Sequence, residues 1–156
     1  MNDKLTVTLL VGAPGSGKST YGKKMVAEDA TLVRVCPDEF RAKFGWGEGD
    51  QSVSAQAFEA SRKAVGEALD NGQNVVVDAT NMYRKSRKDF INIARGRGAL
   101  VNAVVFEVDK ATLLDRIKKR VSEGGRNVPE DVVDRMLSRY ERPSTDEVNK
   151  VIAIHS

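Results

Sequence analysis

One eight-residue stretch near the N-terminus constrains this chain more than any other feature, because it matches the phosphate-binding loop pattern G-x-x-x-x-G-K-[ST]. The stretch is Gly12-Ala13-Pro14-Gly15-Ser16-Gly17-Lys18-Ser19, and Thr20 follows it. An apolar, β-branched run at 5–11 precedes the loop, and a helical pattern from Thr20 to Asp29 follows it. In this strand–loop–helix context the pattern predicts a phosphate site, rather than a glycine-rich turn that binds nothing.

The residue types of this loop suit a triphosphate. Glycines let the backbone wrap closely around a phosphate, and successive N–H groups then point inward as an anion-binding nest. The N-terminus of the following helix adds the positive end of its dipole. We expect Lys18 to reach the β- and γ-phosphates and the Ser19 hydroxyl to ligate Mg²⁺. The segment Gly12–Thr20 is therefore predicted to bind ATP or another nucleoside triphosphate.

Length and composition predict a single α/β domain over residues 1–156. The chain has 25 basic and 22 acidic residues, and this mildly basic balance permits a nucleic-acid partner without requiring one. No apolar run approaches the roughly 20 residues of a membrane span, and no leader pattern is present, so we expect a cytoplasmic protein. Cys36 is the single cysteine and His155 the single histidine, which argues against a disulfide, a zinc site and histidine catalysis.

Apolar strand patterns alternate with helical patterns along the whole chain. Strands are predicted at 5–11, 31–36, 74–78, 100–108 and 148–154, and helices lie between them. This alternation predicts a parallel sheet with helices on both faces, and ligands are then expected at the carboxyl ends of the strands.

Asp38 follows the second predicted strand, with Arg41 three residues later. A carboxylate there can take the proton of an attacking hydroxyl, with Glu39 as a competitor for the role. The alternative is an acid that complements a helix N-terminus. Asp78 closes the apolar strand at 74–78, where it either supports Mg²⁺ or caps the loop that follows.

Basic residues crowd two predicted helices. Arg116 and Arg120 are four apart and share a helix face, and a glycine pair at 124–125 follows them before Arg126. They resemble a lid that closes over phosphates, and the alternative is a solvated face. Arg84 and Arg87 begin the other basic helix, where they either bind an acceptor phosphate or face solvent. The glycine-rich stretch around Trp46 is predicted to be a surface loop whose aromatic residue either stacks on a base or is structural.

The motifs in this order resemble the phage and bacterial polynucleotide 5′-hydroxyl kinases. The resemblance is carried by GAPGSGKST at 12–20, CPDEFR at 36–41, VDATN at 77–81, Arg116 with Arg120, and NVPEDVV at 127–133. It covers nearly the whole chain. One departure is the loop between Arg120 and Val128, which is longer than in the best-known phage enzyme and leaves the role of Arg126 open.

The resemblance implies an adenylate-kinase-like fold with a five-stranded parallel sheet in the order 2-3-1-4-5. It also implies transfer of the γ-phosphate of ATP, with Mg²⁺, to the 5′-hydroxyl of DNA or RNA in end repair. Lys18 and Ser19 would hold phosphate and metal, and Asp38 would be the general base. Arg41 would hold the 3′-phosphate of the terminal nucleotide, Arg120 would contact the transferring phosphate, and Arg116 would belong to the lid.

Two further classes of function stay open at this point. One is a kinase of a small metabolite such as a sugar, a nucleoside or an antibiotic, because relatives with the same loop and lid act on such acceptors. The other is a nucleotide-gated switch without an acceptor. The pair Asp38 and Arg41 argues against the switch, which needs neither. Oligomeric state is also open, with a homo-oligomer among the alternatives.

Overall fold

The structure, a computed structural model, describes residues 4–44 and 54–155. The predicted loop around Trp46 lies outside the described residues. Five strands and six helices occupy the described part, in the order β1 (Thr6–Val11), α1 (Lys18–Glu28), β2 (Leu32–Val35), α2 (Pro37–Phe44), α3 (Ser54–Asp70), β3 (Asn74–Asp78), α4 (Arg84–Gly96), β4 (Leu100–Glu107), α5 (Lys110–Ser122), α6 (Glu130–Arg139) and β5 (Lys150–His155).

The strands form one parallel sheet in the order β2-β3-β1-β4-β5, which confirms the predicted topology. The central strand β1 pairs on one side with β3, with Val7 opposite Val75. On its other side it pairs with β4, with Val7 opposite Val101. Because all strands run the same way, their carboxyl ends share one edge of the sheet, and the loops after β1, β2 and β3 meet there.

The central strands are buried on both faces, as their near-continuous apolar sequences indicate. In β1, Val7, Leu9 and Val11 pack into the cluster that contains Val65, Phe90 and other residues of α3 and α4. Leu10 points to the opposite face, toward Tyr21 and Met25 of α1. Each fully buried side chain of this size contributes about 1.5–3 kcal/mol, so this layer dominates the stability of the sheet.

A third apolar cluster joins the phosphate-binding loop to α5 and α6. It is built around Ala13, Leu113, Ile117, Val128 and Val133. This packing holds α5, which carries Arg116 and Arg120, directly against the loop. Among the helices of the described ranges, none is long and apolar enough to cross a bilayer.

The predicted element boundaries differ from the structure by one to three residues at most ends. The clearest case is α1, which begins at Lys18 rather than Thr20. Gly17 immediately before it has a left-handed conformation with φ 99°, so the helix starts inside the loop itself. The N–H groups of its first turn are therefore directed at the loop's centre.

Candidate active site

The phosphate-binding loop adopts a conformation that depends on glycine. Gly15 and Gly17 have φ values of 85° and 99°, in the left-handed region that favours glycine. At Gly15 a Cβ atom would also come within 2.9 Å of the Leu113 carbonyl oxygen on α5. Glycine at this position therefore permits both the turn and the close approach of α5.

Two polar groups of the loop, the Ser16 hydroxyl and the Lys18 amine, have few hydrogen bonds to the described residues. Ser16 Oγ is buried and has no hydrogen-bond partner among the described residues. The Lys18 amine donates only a 3.2 Å hydrogen bond to the carbonyl of Ala13, back across the loop. A loop with an unpaired hydroxyl and an amine folded over it is suited to an anionic ligand.

Desolvation lowers the pKa of Lys18 from 10.5 to about 8. The charge of Asp78 raises this pKa and the charge of Arg120 lowers it. Burial thus disfavours the charged amine, and the negative charge of Asp78 compensates this only in part. A bound triphosphate supplies such charge, so the electrostatics of Lys18 fit the predicted role.

A cavity of about 460 Å³ opens beside the loop and is called the donor cavity here. Its walls include Gly15, Lys18, Ser19, Arg116 and Arg120. The Nη1 atom of Arg116 donates to the carbonyl of Gly15 at 3.2 Å, so the arginine of α5 touches the loop directly. The structure thus brings the two predicted lid arginines to the predicted phosphate site.

A second cavity of about 320 Å³, called the acceptor cavity here, lies on the other side of the same wall. Lys18, Ser19, Asp38 and Arg120 line both cavities. The rest of the acceptor cavity combines cations with apolar surface, namely Arg41, Arg126, Phe58, Val128 and Met136. A ligand here would meet a carboxylate, arginines and an aromatic ring.

Asp38 lies in the first turn of α2, and its carboxylate lines both cavities. It forms an ion pair with Arg41, one turn further along the helix, and Arg126 approaches its Oδ1 to 3.6 Å. Asp38 keeps 40% of its side chain exposed, so a substrate can reach it. Glu39, its predicted competitor, instead pairs with Arg34.

Arg41 is nearly buried and fixed from three sides. In addition to Asp38, its Nε donates to Ser54 Oγ at 3.1 Å, and its guanidinium lies 5.4 Å from the centre of the Phe58 ring. Burial lowers its pKa, and the nearby charge of Arg126 lowers it further. Two cations held this close to each other favour an anion between them.

Arg126 reaches Asp38 because of how α5 ends. The N–H groups of Gly124 and Gly125 donate to the carbonyls of Val121 and Arg120, at 3.0 and 2.7 Å. With Gly124 at φ 88°, this is a Schellman motif, which stops the helix and reverses the chain. The glycine pair at 124–125 is therefore an ordered helix cap that directs Arg126 back to the acceptor cavity.

Asp78 ends β3 and is buried, as its predicted position suggests. Nε and Nη2 of Arg34 both donate to its Oδ2, at 2.9 and 2.6 Å. Together with Ser19, it lines the acceptor cavity. A hydroxyl and a carboxylate are oxygen donors of the kind that Mg²⁺ prefers, so these two residues fit the predicted metal role.

Arg84 and Arg87 line neither cavity, and for Arg87 the structure contradicts both alternatives. Its guanidinium is fully buried, forms a two-bond ion pair with Glu147, and donates to the carbonyl of Asn81 at 2.7 Å. It neither faces solvent nor lines either cavity, so it cannot hold a substrate phosphate. Arg84 is exposed and pairs with Asp146 at 3.2 Å, and it lines neither cavity.

Residues 7–143 match the family model described as "AAA domain", which spans most of the chain. The chain belongs to this AAA domain family. The AAA-domain protein described here has the fold of P-loop kinases, and the similar proteins include kinases.

The relatives of this AAA-domain protein include kinases that act on nucleic acids. It is 30% identical over 142 residues to the L-seryl-tRNA(Sec) kinase of Methanococcus maripaludis, covering 88% of this chain and 53% of that protein. It is 25% identical over 142 residues to the bifunctional polynucleotide phosphatase/kinase of Schizosaccharomyces pombe, covering 90% of this chain and 31% of that protein. The chain thus spans about half or less of these relatives.

Among solved structures, the AAA-domain protein is similar to a chain of the Pnkp1/Rnl/Hen1 RNA repair complex. The TM-score is 0.79 with 28% identity, over 89% of this chain and 45% of that chain. The resemblance to polynucleotide kinases is therefore confirmed as a distant one.

Sequence reasoning missed two residues of the AAA-domain site, Arg34 and Phe58. Arg34 lies within a short strand and Phe58 within the apolar pattern of α3, so neither had a motif around it. A signal for Arg34 was present, since an arginine inside a parallel strand needs a buried partner. Cys36, directly after β2, is buried, and desolvation raises its pKa to about 11.

Proposed function

We propose that this AAA-domain kinase transfers the γ-phosphate of ATP to the 5′-hydroxyl end of DNA or RNA. The observation that carries the proposal is the placement of Asp38 between Arg41 and Arg126 in the acceptor cavity. A hydroxyl that neighbours a phosphodiester needs a base for its proton and cations for its phosphate. The Phe58 ring supplies apolar surface beside them.

In the proposed reaction the 5′-oxygen attacks the γ-phosphorus as the bond from that phosphorus to the β–γ bridging oxygen breaks. The hydroxyl proton passes to the carboxylate of Asp38, and ADP leaves with the electron pair of the broken bond. Lys18 and Arg120 line both cavities, where their charges would stabilise the transferring group. Arg116 would hold the donor against the loop.

Mg²⁺, when bound, supplies charge neutralisation on the triphosphate. Ser19 and Asp78 are the residues that would hold it. Within residues 4–44 and 54–155 there is no group of three His, Cys, Asp or Glu residues placed to bind a metal. The remaining ligands would therefore be triphosphate oxygens and water, which is the usual arrangement for Mg²⁺.

The names of the similar proteins support a nucleic-acid acceptor. One is part of an RNA repair complex and another is a polynucleotide phosphatase/kinase. A second candidate acceptor follows from the L-seryl-tRNA(Sec) kinase, whose name indicates a seryl group carried by a tRNA. A hydroxyl that is not a nucleic-acid 5′ end, such as this seryl hydroxyl, is thus the rival acceptor class, with the same donor chemistry.

The experiment offers γ-³²P-labelled ATP, with Mg²⁺, to an oligonucleotide with a 5′-hydroxyl and to the same oligonucleotide already phosphorylated at its 5′ end. Label on the first only is the expected result. Seryl-tRNA, nucleosides and sugars are tested in parallel. Label on one of these but not on the oligonucleotide would reject the proposal. Slow ATP hydrolysis with every acceptor refused would favour the nucleotide-gated switch instead.

A further inference from the structure

Arg34 is a charged residue at a place where the fold favours apolar ones. It lies in β2, between the buried strand residues Leu32 and Val35, and it is opposite Val76 in the sheet. Only 13% of its side chain is exposed. Because burying a guanidinium is unfavourable unless it is paired, the partners of Arg34 indicate its role.

The partners of Arg34 are two carboxylates from different sides of the active site. Its Nε and Nη2 atoms donate to Asp78 Oδ2, at 2.9 and 2.6 Å, and its Nη1 atom donates to the Glu39 carboxylate. Asp78 lies at the end of β3, and Glu39 is the residue after Asp38 on α2. One guanidinium therefore connects the proposed metal side of the site with the helix that carries the proposed base.

Both hydrogen bonds to Asp78 end on the same oxygen. They restrain rotation of a carboxylate that is only 2% exposed, and neither of them uses Oδ1. The orientation matters for the neighbouring groups, since the charge of Asp78 also acts on Lys18. Hydrogen-bond partners of this kind hold a metal ligand in its orientation without binding the metal themselves.

Helix α1 packs closely over the Arg34–Asp78 pair because it has a glycine at the contact. Gly22 in its second turn lies over it, and a Cβ atom there would be 3.5 Å from both Arg34 Nε and Asp78 Oδ2 and 3.3 Å from Leu10 Cδ1. Glycine inside a helix costs about 1 kcal/mol relative to alanine. Its presence here lets α1 cover the Arg34–Asp78 pair closely.

We propose that Arg34 is a positioning residue for phosphoryl transfer, which orients Asp78 through one oxygen and, through Glu39, fixes the helix that carries Asp38. The proposal rests on the proposed function for its kinetic consequences. Its effect on Asp78 does not depend on which acceptor the kinase uses.

The test compares Arg34→Gln and Arg34→Lys with Arg97→Gln as the control. Arg97 forms a similar fork with Asp70, far from both cavities. ATP binding is measured by calorimetry with and without Mg²⁺, turnover with the 5′-hydroxyl oligonucleotide, and Tm by thermal unfolding. For Arg34→Gln we expect Mg²⁺-free ATP binding to stay near wild type, while the gain in affinity from Mg²⁺ and kcat fall about 10- to 100-fold. Arg34→Lys should recover part of both, and Arg97→Gln should change neither.

An Arg34→Gln variant with the wild-type Mg²⁺ gain and the wild-type kcat would overturn the proposal. So would a variant whose only change is a lower Tm, because Arg34 would then serve the scaffold alone. If Arg34→Gln does not fold, Arg34→Lys and Glu39→Gln are used to test the proposal instead. Glu39→Gln should lower kcat and leave the Mg²⁺ gain intact, and wild-type behaviour of both variants would overturn the proposal.

The calorimetry needs no acceptor, so it separates this inference from the proposed function. If the wild-type protein does not label the oligonucleotide, the proposed function fails. The Mg²⁺ dependence of ATP binding in Arg34→Gln then still decides whether Arg34 positions Asp78.

Discussion

The Asp38 carboxylate lies between the guanidiniums of Arg41 and Arg126 and lines both cavities. If it is the general base, Asp38→Asn should lower kcat about 10²- to 10⁴-fold, because the amide cannot accept the hydroxyl proton. ATP affinity should stay within about twofold, since a carboxylate adds nothing favourable to triphosphate binding. Turnover of labelled ATP and calorimetry measure the two quantities.

The matched control is Asp131→Asn, which alters an exposed acid on α6 that pairs with Arg135 outside both cavities. It should keep wild-type kcat. An Asp38→Asn variant with unchanged turnover would remove Asp38 from the role of base.

Lys18 gives a prediction about pH and stability. Its pKa in the folded, ligand-free protein is about 8, against 10.5 for an ordinary lysine. Between these values the unfolded chain keeps a proton that the folded chain has lost. The free energy of unfolding therefore rises with pH across this window, and the depressed pKa destabilises the fold below it.

Replacing Lys18 by Met removes this titration. The ligand-free Lys18→Met variant should be more stable than wild type at pH 7 by up to about 3 kcal/mol, at 1.36 kcal/mol per pKa unit. The difference should shrink as pH rises from 8 to 10.5, the window set by the two pKa values. Urea unfolding of both proteins at several pH values measures it, and a difference independent of pH would contradict the prediction. The same variant should lose ATP turnover.

At the scale of elements, α5 and the loop after it link the two cavities. The helix places Arg116 on the phosphate-binding loop, and its Schellman cap returns Arg126 to Asp38. The donor and acceptor cavities therefore receive cations from one continuous segment. The sequence indicated the helical arginines from their spacing, but the direction of the chain after Gly124 depended on the cap.

Arg126→Ala should weaken acceptor binding specifically. We expect KM for a 5′-hydroxyl oligonucleotide to rise about tenfold, equivalent to about 1.4 kcal/mol, with KM for ATP unchanged. The salt dependence of oligonucleotide binding should also become shallower by about one unit of slope, because one phosphate contact is lost. Steady-state kinetics and binding at several salt concentrations test both effects.

Arg135→Ala serves as the control, since Arg135 is an exposed arginine of α6 that lines neither cavity. It should leave both KM values unchanged. A rise in the KM for ATP in Arg126→Ala, without a change for the oligonucleotide, would place Arg126 with the donor instead.

Helix α4 shows why the prediction for Arg87 was wrong. Arg87 is spaced three, four and seven residues from Phe90, Ile91 and Ala94, so it lies on the buried face of the helix. This periodicity was a local signal that Arg87 points inward. Its partner Glu147 is 60 residues away in sequence, and only the tertiary structure could identify it.

At the scale of the whole molecule, the Arg87–Glu147 pair ties α4 and the loop after β3 to the segment before β5. Arg87→Ala leaves the Glu147 carboxylate buried without its partner, which typically costs 3–5 kcal/mol. For a domain of this size we expect Tm to fall by roughly 6 °C or more, at about 2–4 °C per kcal/mol. Kinetic constants of the folded protein should remain close to wild type.

Arg84→Ala is the matched control on the same helix, because Arg84 forms an exposed pair with Asp146. Its Tm should not change measurably, as exposed ion pairs contribute little. Thermal unfolding and oligonucleotide kinetics of the two variants give the comparison. A raised oligonucleotide KM in Arg84→Ala would restore the original prediction that Arg84 binds an acceptor phosphate.

The sequence by itself determined where the phosphate-binding loop lies and that strands alternate with helices. The loop Gly12–Ser19 and the alternating strands and helices are local patterns, because each follows from residues close together in the chain. The sheet order came from the resemblance to polynucleotide kinases and is confirmed by the structure.

Only the tertiary structure decided which charged groups meet across the sheet edge. The pair Arg34–Asp78 is separated by 44 residues in the sequence, and the pair Arg126–Asp38 by 88. Arg87 is buried in the core. The sequence around a charged residue does not identify its partner, since burial and pairing depend on how the whole chain packs. That is why the sequence left the roles of Arg87 and Arg126 open and gave no role to Arg34.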